Sequence, residues 1–339
     1  MARRVTYREA INEAIRQEMA ADPRVVLFGE DVAGGAGTSE PLDAWGGVLG
    51  VTKGIQPLFP DRVLDTPISE SAIVGAAAGA AASGLRPIAE LMFIDFVGVC
   101  LDQILNQTAK FRYMFGGKAE TPLVIRTMYG AGMNAAAQHS QSLYAILTHI
   151  PGIKVVLPSN PYDAKGLLVQ AIRDQDPVIF CEHKMLYGVK GEVPEDLYVI
   201  PFGEARIVRQ GTDVTVVALG RMVSIAEKAA AALAKDDIEV EIIDPRTTSP
   251  LDEDAILASV EKTGRLVVVD EGNPRCGMAA DLAALVATRG FASLKAPIRT
   301  ITPPHTPVPF ATVLEQAYIP SPADVEASVR EIMDREAVA

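Results

Sequence analysis

Short apolar runs alternate along the chain with longer stretches in which apolar residues recur every three or four positions. Val25 to Phe28 is one continuous apolar run, which is typical of a strand buried on both faces of a parallel sheet. Before it, Thr6 and Glu9 form a capping-box pattern, and the apolar residues that follow fall on one helical face. This alternation predicts an α/β fold built on a doubly wound parallel sheet.

The alternation continues through the first half of the chain. Residues 95–115 have a mixed apolar face, and we predict that they form one helix. Asn160 followed by Pro161 is a typical helix start, because it combines a capping side chain with a proline at the first helical position. Further strands are predicted in this half at residues 87–91, 123–127, 153–157 and 178–181.

A polar stretch that contains glycine and proline separates the two halves of the chain. We interpret residues 188–203 as a linker between a first domain, residues 1–187, and a second domain, residues 204–339. Beyond the linker, strands and helices alternate again. The 339 residues suffice for two domains of ordinary size, each with its own core. The predicted architecture is therefore two doubly wound α/β domains in succession.

The hexapeptide from Asp65 to Glu70 joins a predicted strand to an Ala- and Gly-rich helix. Pro67 fixes its own φ and keeps the preceding residue out of the helical region, so the turn is stiff. Ser69 is predicted to be the N-cap, which makes Glu70 the first helical residue. The helix dipole stabilises a carboxylate at this position, so an acid that only begins a helix is the alternative to a functional acid.

Composition disfavours several classes of protein. The net charge of −12 would repel the phosphate backbone of a nucleic acid. Cys100, Cys181 and Cys276 are scattered without CxxC spacing, which favours a reducing cytoplasm over a disulfide framework. A membrane-spanning run of about 18 apolar residues is missing, and the N-terminus lacks a signal-peptide core. These features predict a cytoplasmic protein.

Common catalytic and cofactor motifs are also missing from the sequence. The stretch from Gly34 to Gly37 follows a strand, but it lacks the GxGxxG spacing and the following helix of a nicotinamide site. The sequence contains neither a P-loop nor the GxSxG nucleophile elbow. Its four histidines do not have the HExxH spacing of a zinc site. We therefore predict no metal site made of side chains from this chain.

Four separated motifs resemble those of a known family. They are DTPISE at Asp65 to Glu70, AAQHSQ at Ala136 to Gln141, PSNPYDAKGL at Pro158 to Leu167 and DPVIFCEHK at Asp176 to Lys184. In this order they resemble the β subunit of the thiamine-diphosphate-dependent dehydrogenase component of 2-oxo acid and acetoin dehydrogenase complexes, in the transketolase superfamily. The resemblance extends over essentially the whole chain. It implies a pyrimidine-binding transketolase-like domain followed by a transketolase C-terminal domain.

The resemblance implies roles for individual residues. Glu70 would hydrogen-bond the aminopyrimidine of the cofactor and so help the thiazolium carbon to lose its proton. Ile68 and Met92 would line the same site, and Phe96 would stack against the pyrimidine, although an ordinary core position suits Met92 and Phe96 equally well. His139, which follows a Gly-rich loop, would assist proton transfer or the reductive acylation of lipoyl groups. The alternative for His139 is a structural histidine.

The GDG…N motif, through which thiamine enzymes usually hold the diphosphate and Mg²⁺, does not occur in this chain. The resemblance implies that a separate α subunit carries this motif and holds most of the Mg²⁺ ligands, in an α₂β₂ heterotetramer. A lipoyl-bearing acyltransferase would be a further partner. Family members can also bind an alkali cation through main-chain carbonyls near Leu123, Ala171 and Asp174, for which a sequence has no signature.

Within the family, the acetoin dehydrogenase branch is the most similar. The similarity rests on KFRYMFGGK at Lys110 to Lys118, RTMYGAG at Arg126 to Gly132, DPRTTSPLDED at Asp244 to Asp254 and PHTPVPFA at Pro304 to Ala311. The implied reaction is cleavage of acetoin and transfer of the acetyl unit to lipoamide. A β subunit for pyruvate or branched-chain 2-oxo acids is the first alternative. A non-catalytic scaffold subunit and a free-standing nicotinamide dehydrogenase are alternatives of other classes.

Overall fold

A computed structural model describes residues 3–34 and 46–334, which form two compact units. The first unit contains the chain up to Tyr129 together with Leu147–Phe202, and the second contains Gly130–Ile146 together with the chain from Gly203 onward. No helix within the described residues is both long enough and apolar enough to cross a membrane.

This division differs in two places from the boundary that we propose from the sequence. The predicted linker, residues 188–203, groups almost entirely with the first unit, and the segment that carries His139 groups with the second. Most of the stretch from Gly34 to Gly37 falls in residues 35–45, which lie outside the described residues.

Regular elements account for most of the first unit. Its strands are β1 (Arg3–Thr6), β2 (Val25–Gly29), β3 (Val63–Asp65), β4 (Arg86–Phe93), β5 (Val124–Tyr129), β6 (Lys154–Val156), β7 (Val178–His183) and β8 (Lys190–Val193). Its helices are α1 (Tyr7–Ala21), α2 (Glu70–Ala82), α3 (Phe111–Met114) and α5 (Pro161–Arg173). Helix α4 (Tyr144–Thr148) begins in the second unit and ends in the first.

The second unit repeats the alternation of strands and helices. Its strands are β9 (Arg206–Arg209), β10 (Val214–Ala218), β11 (Val240–Asp244), β12 (Thr247–Ser249), β13 (Leu266–Val269) and β14 (Arg299–Ile301). Its helices are α6 (Met222–Leu233), α7 (Glu253–Thr263), α8 (Met278–Arg289), α9 (Thr312–Tyr318) and α10 (Pro322–Asp334).

The strands of the first unit form a parallel sheet in the order β6-β7-β5-β4-β2-β3. Every residue of β5 and β7 is buried, because helices cover both faces of such a sheet, as the continuous apolar runs predict. The carboxyl ends of β2, β3 and β4 lie at one edge, where parallel sheets place ligands. That edge presents Glu30, the turn that leads to Glu70, and Met92.

Two predicted helix starts are confirmed and one is only partly so. The Thr6 hydroxyl accepts a hydrogen bond from the Glu9 amide, and the Glu9 carboxylate accepts one from the Thr6 amide, which is the predicted capping box. The Asn160 side chain accepts a hydrogen bond from the Asp163 amide at 2.9 Å, with proline at the first helical position. Ser69 occupies the N-cap position of α2, but its side chain makes no capping hydrogen bond.

The single helix predicted over residues 95–115 is wrong. The segment contains a 3₁₀ turn at Ile94–Gly98, a π-helical stretch at Gln103–Thr108 and the one-turn helix α3. Changes between 3₁₀, π and α winding rotate successive residues out of a common face, so a 3.6-residue period does not describe the segment. Val99, which the predicted apolar face includes, is 58% exposed as a result. π-Helical turns often occur near functional sites.

The second unit has its own sheet, in the order β14-β13-β10-β11-β9. All pairings are parallel except that of β9 with β11. The antiparallel edge strand β9 is absent from the sequence prediction, because Arg206–Arg209 is too short and too polar to be distinguished from a loop. Helices α6 and α10 close the core over β10 and β13. The predicted α/β fold class, with parallel sheets in both halves, is confirmed.

Candidate active site

Glu70 is the first residue of α2 and belongs to the first unit. The residue is only 9% exposed. Within the part of the chain that the structure describes, its carboxylate makes neither a hydrogen bond nor an ion pair. Buried carboxylates are nearly always paired, because desolvation without compensation is costly. Among residues 3–34 and 46–334, Glu70 is therefore a carboxylate of low exposure without a polar partner.

Two other ionisable groups are electrostatically coupled to Glu70. Burial raises the pKa of Glu30, and the negative charge of Glu70 raises it further. Burial also raises the pKa of Cys100 to about 12, with a smaller contribution from Glu70. Burial is the larger cause of both shifts, and the smaller contribution from Glu70 makes a further negative charge beside it unfavourable. A ligand that brings a hydrogen-bond donor or positive charge to this carboxylate would be favoured.

The remaining residues predicted to bind the cofactor lie in the same unit. Met92 follows the buried part of β4 and packs partly against the core. Phe96 is half-buried and meets Phe93 edge-on, with ring centroids 5.6 Å apart. Ile68 is 83% exposed, so it is not a core residue of the isolated chain. The core alternative raised for Met92 and Phe96 thus suits Met92 in part, while Phe96 is also only half-buried.

A buried ionic network crosses the sheet next to Met92. Arg126, 2% exposed, donates one hydrogen bond of 2.7 Å to Glu90 and two, of 2.7 and 2.8 Å, to Glu182. Tyr187 donates a further hydrogen bond of 2.7 Å to Glu182. A cavity of about 10 Å³ adjoins the network and has room for about one water molecule. Two carboxylates around one guanidinium give this part of the sheet fixed side chains and an excess negative charge.

Sequence reasoning missed this network, although a signal exists. Glu90, Arg126 and Glu182 each interrupt an otherwise apolar strand. These strands, β4, β5 and β7, are neighbours in the sheet, and Glu90 pairs in register with Arg126. Charged residues inside buried strands are rarely tolerated without partners. Three such residues of opposite charge could therefore have been predicted to form ion pairs with one another.

His139 belongs to the second unit, in the segment Gly130–Ile146, and is half-buried. Its amide donates a hydrogen bond of 3.4 Å to the Ala136 carbonyl, so the histidine sits on a tight turn. Ile68, Glu70, Met92 and Phe96 therefore all belong to the first unit, and His139 belongs to the second.

A cavity of about 320 Å³ lies beside the His139 segment, within the second unit. Its wall includes Gln141 and Ser142 from that segment and Glu271 and His305 from the rest of the unit. The Ser142 hydroxyl is buried and has no hydrogen-bond partner among the described residues. This cavity is absent from the sequence predictions, because its walls come from residues more than 100 positions apart.

The structure also bears on metal ligands. Among residues 3–34 and 46–334, no group of His, Cys, Asp and Glu side chains is arranged to hold a metal ion. Of the carbonyls considered for an alkali cation, that of Asp174 accepts a hydrogen bond of 2.9 Å from Arg86, and that of Leu123 accepts one of 2.9 Å from the Val178 amide. The alkali cation site stays a hypothesis.

Comparison with known families agrees with this architecture. The model of the transketolase pyrimidine-binding domain matches residues 3–190, and that of the transketolase C-terminal domain matches residues 203–325. The chain belongs to the transketolase family. A split-gene transketolase, solved as an inactive β4 tetramer, shares the fold with a TM-score of 0.78 over 97% of this chain and 98% of that one, at 22% identity.

Closer relatives in the family are dehydrogenase β subunits. Acetoin:2,6-dichlorophenolindophenol oxidoreductase subunit beta from Cupriavidus necator is 66% identical over 98% of each chain. The protein of the same name from Bacillus subtilis is 59% identical over 100% of each chain. The pyruvate dehydrogenase E1 component subunit beta from Bacillus subtilis is 43% identical over 97% of this chain and 99% of that protein. The family resemblance and its acetoin dehydrogenase branch are therefore confirmed.

Proposed function

We propose that this chain is the β subunit of a thiamine-diphosphate-dependent acetoin dehydrogenase. The observation that carries the proposal is Glu70, a buried acid at the carboxyl edge of a parallel sheet whose carboxylate has no polar partner among the residues that the structure describes. The β subunits named for acetoin oxidation share 66% and 59% of its residues, against 43% for a pyruvate dehydrogenase subunit, which favours acetoin as the substrate.

The residues of the first unit fit the pyrimidine half of thiamine diphosphate. Bound thiamine diphosphate supplies a nucleophilic carbon that attacks a carbonyl group and stabilises the charge left by cleavage. Glu70 would accept a hydrogen bond from a protonated nitrogen of the pyrimidine ring. The negative charges of the nearby acids would favour the protonated form of that nitrogen. Phe96 would pack on the pyrimidine, while Met92 and Ile68 exclude water from its edges.

His139 would act on the substrate rather than on the cofactor. An imidazole has two ring nitrogens that can each donate or accept a proton, so it could hold a proton at a substrate oxygen and release it in the same cycle. In this role His139 assists the transfer of the acetyl unit to a lipoyl group. A lipoyl-bearing acyltransferase is the partner that would present that group and receive the acetyl unit.

An α subunit would complete the site in an α₂β₂ heterotetramer. The diphosphate and Mg²⁺ carry most of the cofactor's charge, and they need ligands that this chain's sequence does not offer. The net charge of −12 adds a long-range repulsion of the diphosphate. The chain alone would therefore be inactive. Its free cysteines suit a reducing compartment, so we assign the complex to the cytoplasm.

Reconstitution with a diphosphate-binding α subunit tests the proposal. We expect the isolated chain to bind thiamine diphosphate more weakly than micromolar by calorimetry and to turn over no substrate. Addition of the α subunit should restore Mg²⁺-dependent binding and acetoin cleavage together, with acetoin preferred over pyruvate and branched-chain 2-oxo acids in kcat/KM.

Three outcomes would contradict this proposal. Micromolar or tighter cofactor binding by the isolated chain would mean that it forms a complete site. Faster turnover of pyruvate than of acetoin by the tetramer would reassign the substrate. Full activity of a tetramer that contains Glu70→Ala would make this chain a scaffold for its α partner.

A further inference from the structure

The segment that carries His139 has a backbone that its own sequence does not stabilise. Gly130 and Gly132 have φ angles of 94° and 114°, and the non-glycine residues Asn134 and Ala136 have φ angles of 54° and 61°. Left-handed conformations are unfavourable for residues with a Cβ atom, and alanine lacks the polar side chain that lets asparagine tolerate them. They persist where the surrounding structure fixes them, and such residues often occur at functional sites. Contacts from outside the segment must therefore hold it.

Glu315, on helix α9, provides one set of these contacts. The residue is 2% exposed, and it accepts hydrogen bonds from the main-chain amides of Gly132 at 2.8 Å and Asn134 at 3.0 Å. The Asn134 side chain also donates to the Phe310 carbonyl at 3.0 Å. One buried carboxylate thus binds the two amides on either side of Met133 and fixes the turn just before His139.

Two further buried acids act on the ends of the same segment. Glu271, 3% exposed, accepts a hydrogen bond of 2.6 Å from the Ala131 amide. Asp270 is fully buried and accepts a hydrogen bond from the Tyr144 hydroxyl. The three acids, Asp270, Glu271 and Glu315, are called the acid clamp below. They bind the segment before His139 and after it.

Packing supports the same arrangement. Ala131 is fully buried and packs against Val308 and Tyr318, next to the Glu271 contact. Burial and the charge of Glu271 raise the pKa of Tyr318 to about 12, so this phenol stays neutral beside the carboxylate. Hydrogen bonds from main-chain amides to a buried carboxylate are charge-assisted and short, and they are stronger than those to a neutral acceptor. The clamp is therefore a rigid support rather than a set of surface contacts.

We infer that the acid clamp positions His139 for acetyl transfer, so that Asp270, Glu271 and Glu315 are positioning residues of the reaction. The inference rests on the role proposed for His139 above. In the proposed role, none of the three acids contacts the substrate or the cofactor. They act through the backbone of the segment, whose left-handed residues set the direction in which the imidazole points.

Glu315→Gln in the reconstituted α₂β₂ enzyme is the informative variant. Glutamine keeps the shape but has a single acceptor oxygen. At the position that accepts from the Gly132 amide at 2.8 Å, this oxygen reaches the Asn134 amide only at 3.2 Å, and an NH₂ group replaces the oxygen that accepts from Asn134 at 3.0 Å. Loss of one charge-assisted hydrogen bond corresponds to about a 10-fold effect. We expect kcat for acetyl transfer to fall by about 10-fold or more, while hydrogen exchange at the thiazolium carbon changes less than about two-fold, because Glu70 lies outside the segment.

The double variant Glu315→Gln/His139→Ala separates positioning from general stabilisation. If Glu315 acts through His139, the double variant should transfer acetyl no more slowly than His139→Ala alone. Tyr144→Phe removes only the hydroxyl that donates to Asp270 and should give a smaller defect of the same kind. Glu253→Gln is the matched control, because Glu253 is a half-exposed acid of the same unit that pairs with Arg289.

The outcomes distinguish this inference from the proposed function. A transfer defect in His139→Ala without one in Glu315→Gln and Tyr144→Phe would overturn the acid clamp alone. Multiplicative defects in the double variant, or equal losses of proton exchange and acetyl transfer in Glu315→Gln, would assign the acids a merely structural role. An unchanged transfer rate in His139→Ala would overturn the role of the histidine and the clamp together.

Discussion

Glu70→Gln is the perturbation that tests the candidate active site most directly. The two side chains have nearly the same shape, and Glu70 has no hydrogen-bonding partner among the described residues that the substitution could strand. The variant therefore removes a charge and one acceptor position while leaving the packing around α2 unchanged. Assembly with the α subunit and cofactor binding through its diphosphate should persist.

The magnitude follows from the burial of the carboxylate. A hydrogen bond to a charged group contributes about 1.5–3 kcal/mol, which corresponds to about 10- to 150-fold in a rate that depends on it. Acid–base groups contribute about 10²–10⁴-fold. Glu70 is only 9% exposed as a residue, and its position at the start of α2 is fixed by the fold. We expect proton exchange at the thiazolium carbon, followed by NMR in deuterated buffer, to slow by about 100-fold or more.

Stability should change little and serves as the internal control. Loss of a negative charge at the first turn of α2 costs about 0.3–1 kcal/mol through the helix dipole. Removal of its repulsion of Glu30 offsets part of that cost, and the pKa of Glu30 should fall toward its ordinary value. Glu192→Gln, on the exposed side of β8, is the matched control. An exchange rate in Glu70→Gln equal to that of the Glu192→Gln enzyme would refute the assignment of Glu70.

Two further predictions concern the buried ion pairs of the first unit and the three thiols of the chain. Arg126→Leu should lower the free energy of unfolding by about 3–5 kcal/mol, because it leaves Glu90 and Glu182 buried without their cation. Urea titrations of this variant and of Arg209→Leu, whose pair with Glu239 is exposed, provide the test. A loss of stability in Arg126→Leu no larger than that in Arg209→Leu would contradict the prediction. The loss in Arg126→Leu should shrink as the pH falls, since burial already raises the pKa of Glu90 and protonation removes the unpaired charge. A thiol reagent at pH 8 should label Cys276 alone in the native chain, because Cys276 is exposed whereas burial raises the pKa of Cys181 and raises that of Cys100 to about 12. Mass spectrometry should find all three cysteines labelled after unfolding, and native labelling of Cys100 would show that the surroundings of Glu70 are open.

The sequence by itself determined the features that depend on near neighbours in the chain. The capping box of Thr6 and Glu9 and the helix start at Asn160 involve residues three positions apart, and both are present in the structure. Continuous apolar runs predicted the buried parallel strands, because a strand covered on both faces needs apolar side chains at every position. The same local logic placed Glu70 at the first position of α2, where the structure has it.

Only the tertiary structure decided the features that join distant parts of the chain. The network of Arg126 and Glu182 joins residues 56 positions apart, and the contacts of Glu315 with Gly132 and Asn134 span 183 and 181 positions. The sequence around Glu315 does not predict which main-chain amides will donate hydrogen bonds to its carboxylate. The break in the segment 95–115 has a similar origin, since packing selects π and 3₁₀ winding over the regular helix that the apolar pattern favours. Hydrophobic periodicity specifies which face of an element is buried, whereas the partners of a buried polar group are fixed only when the elements pack together.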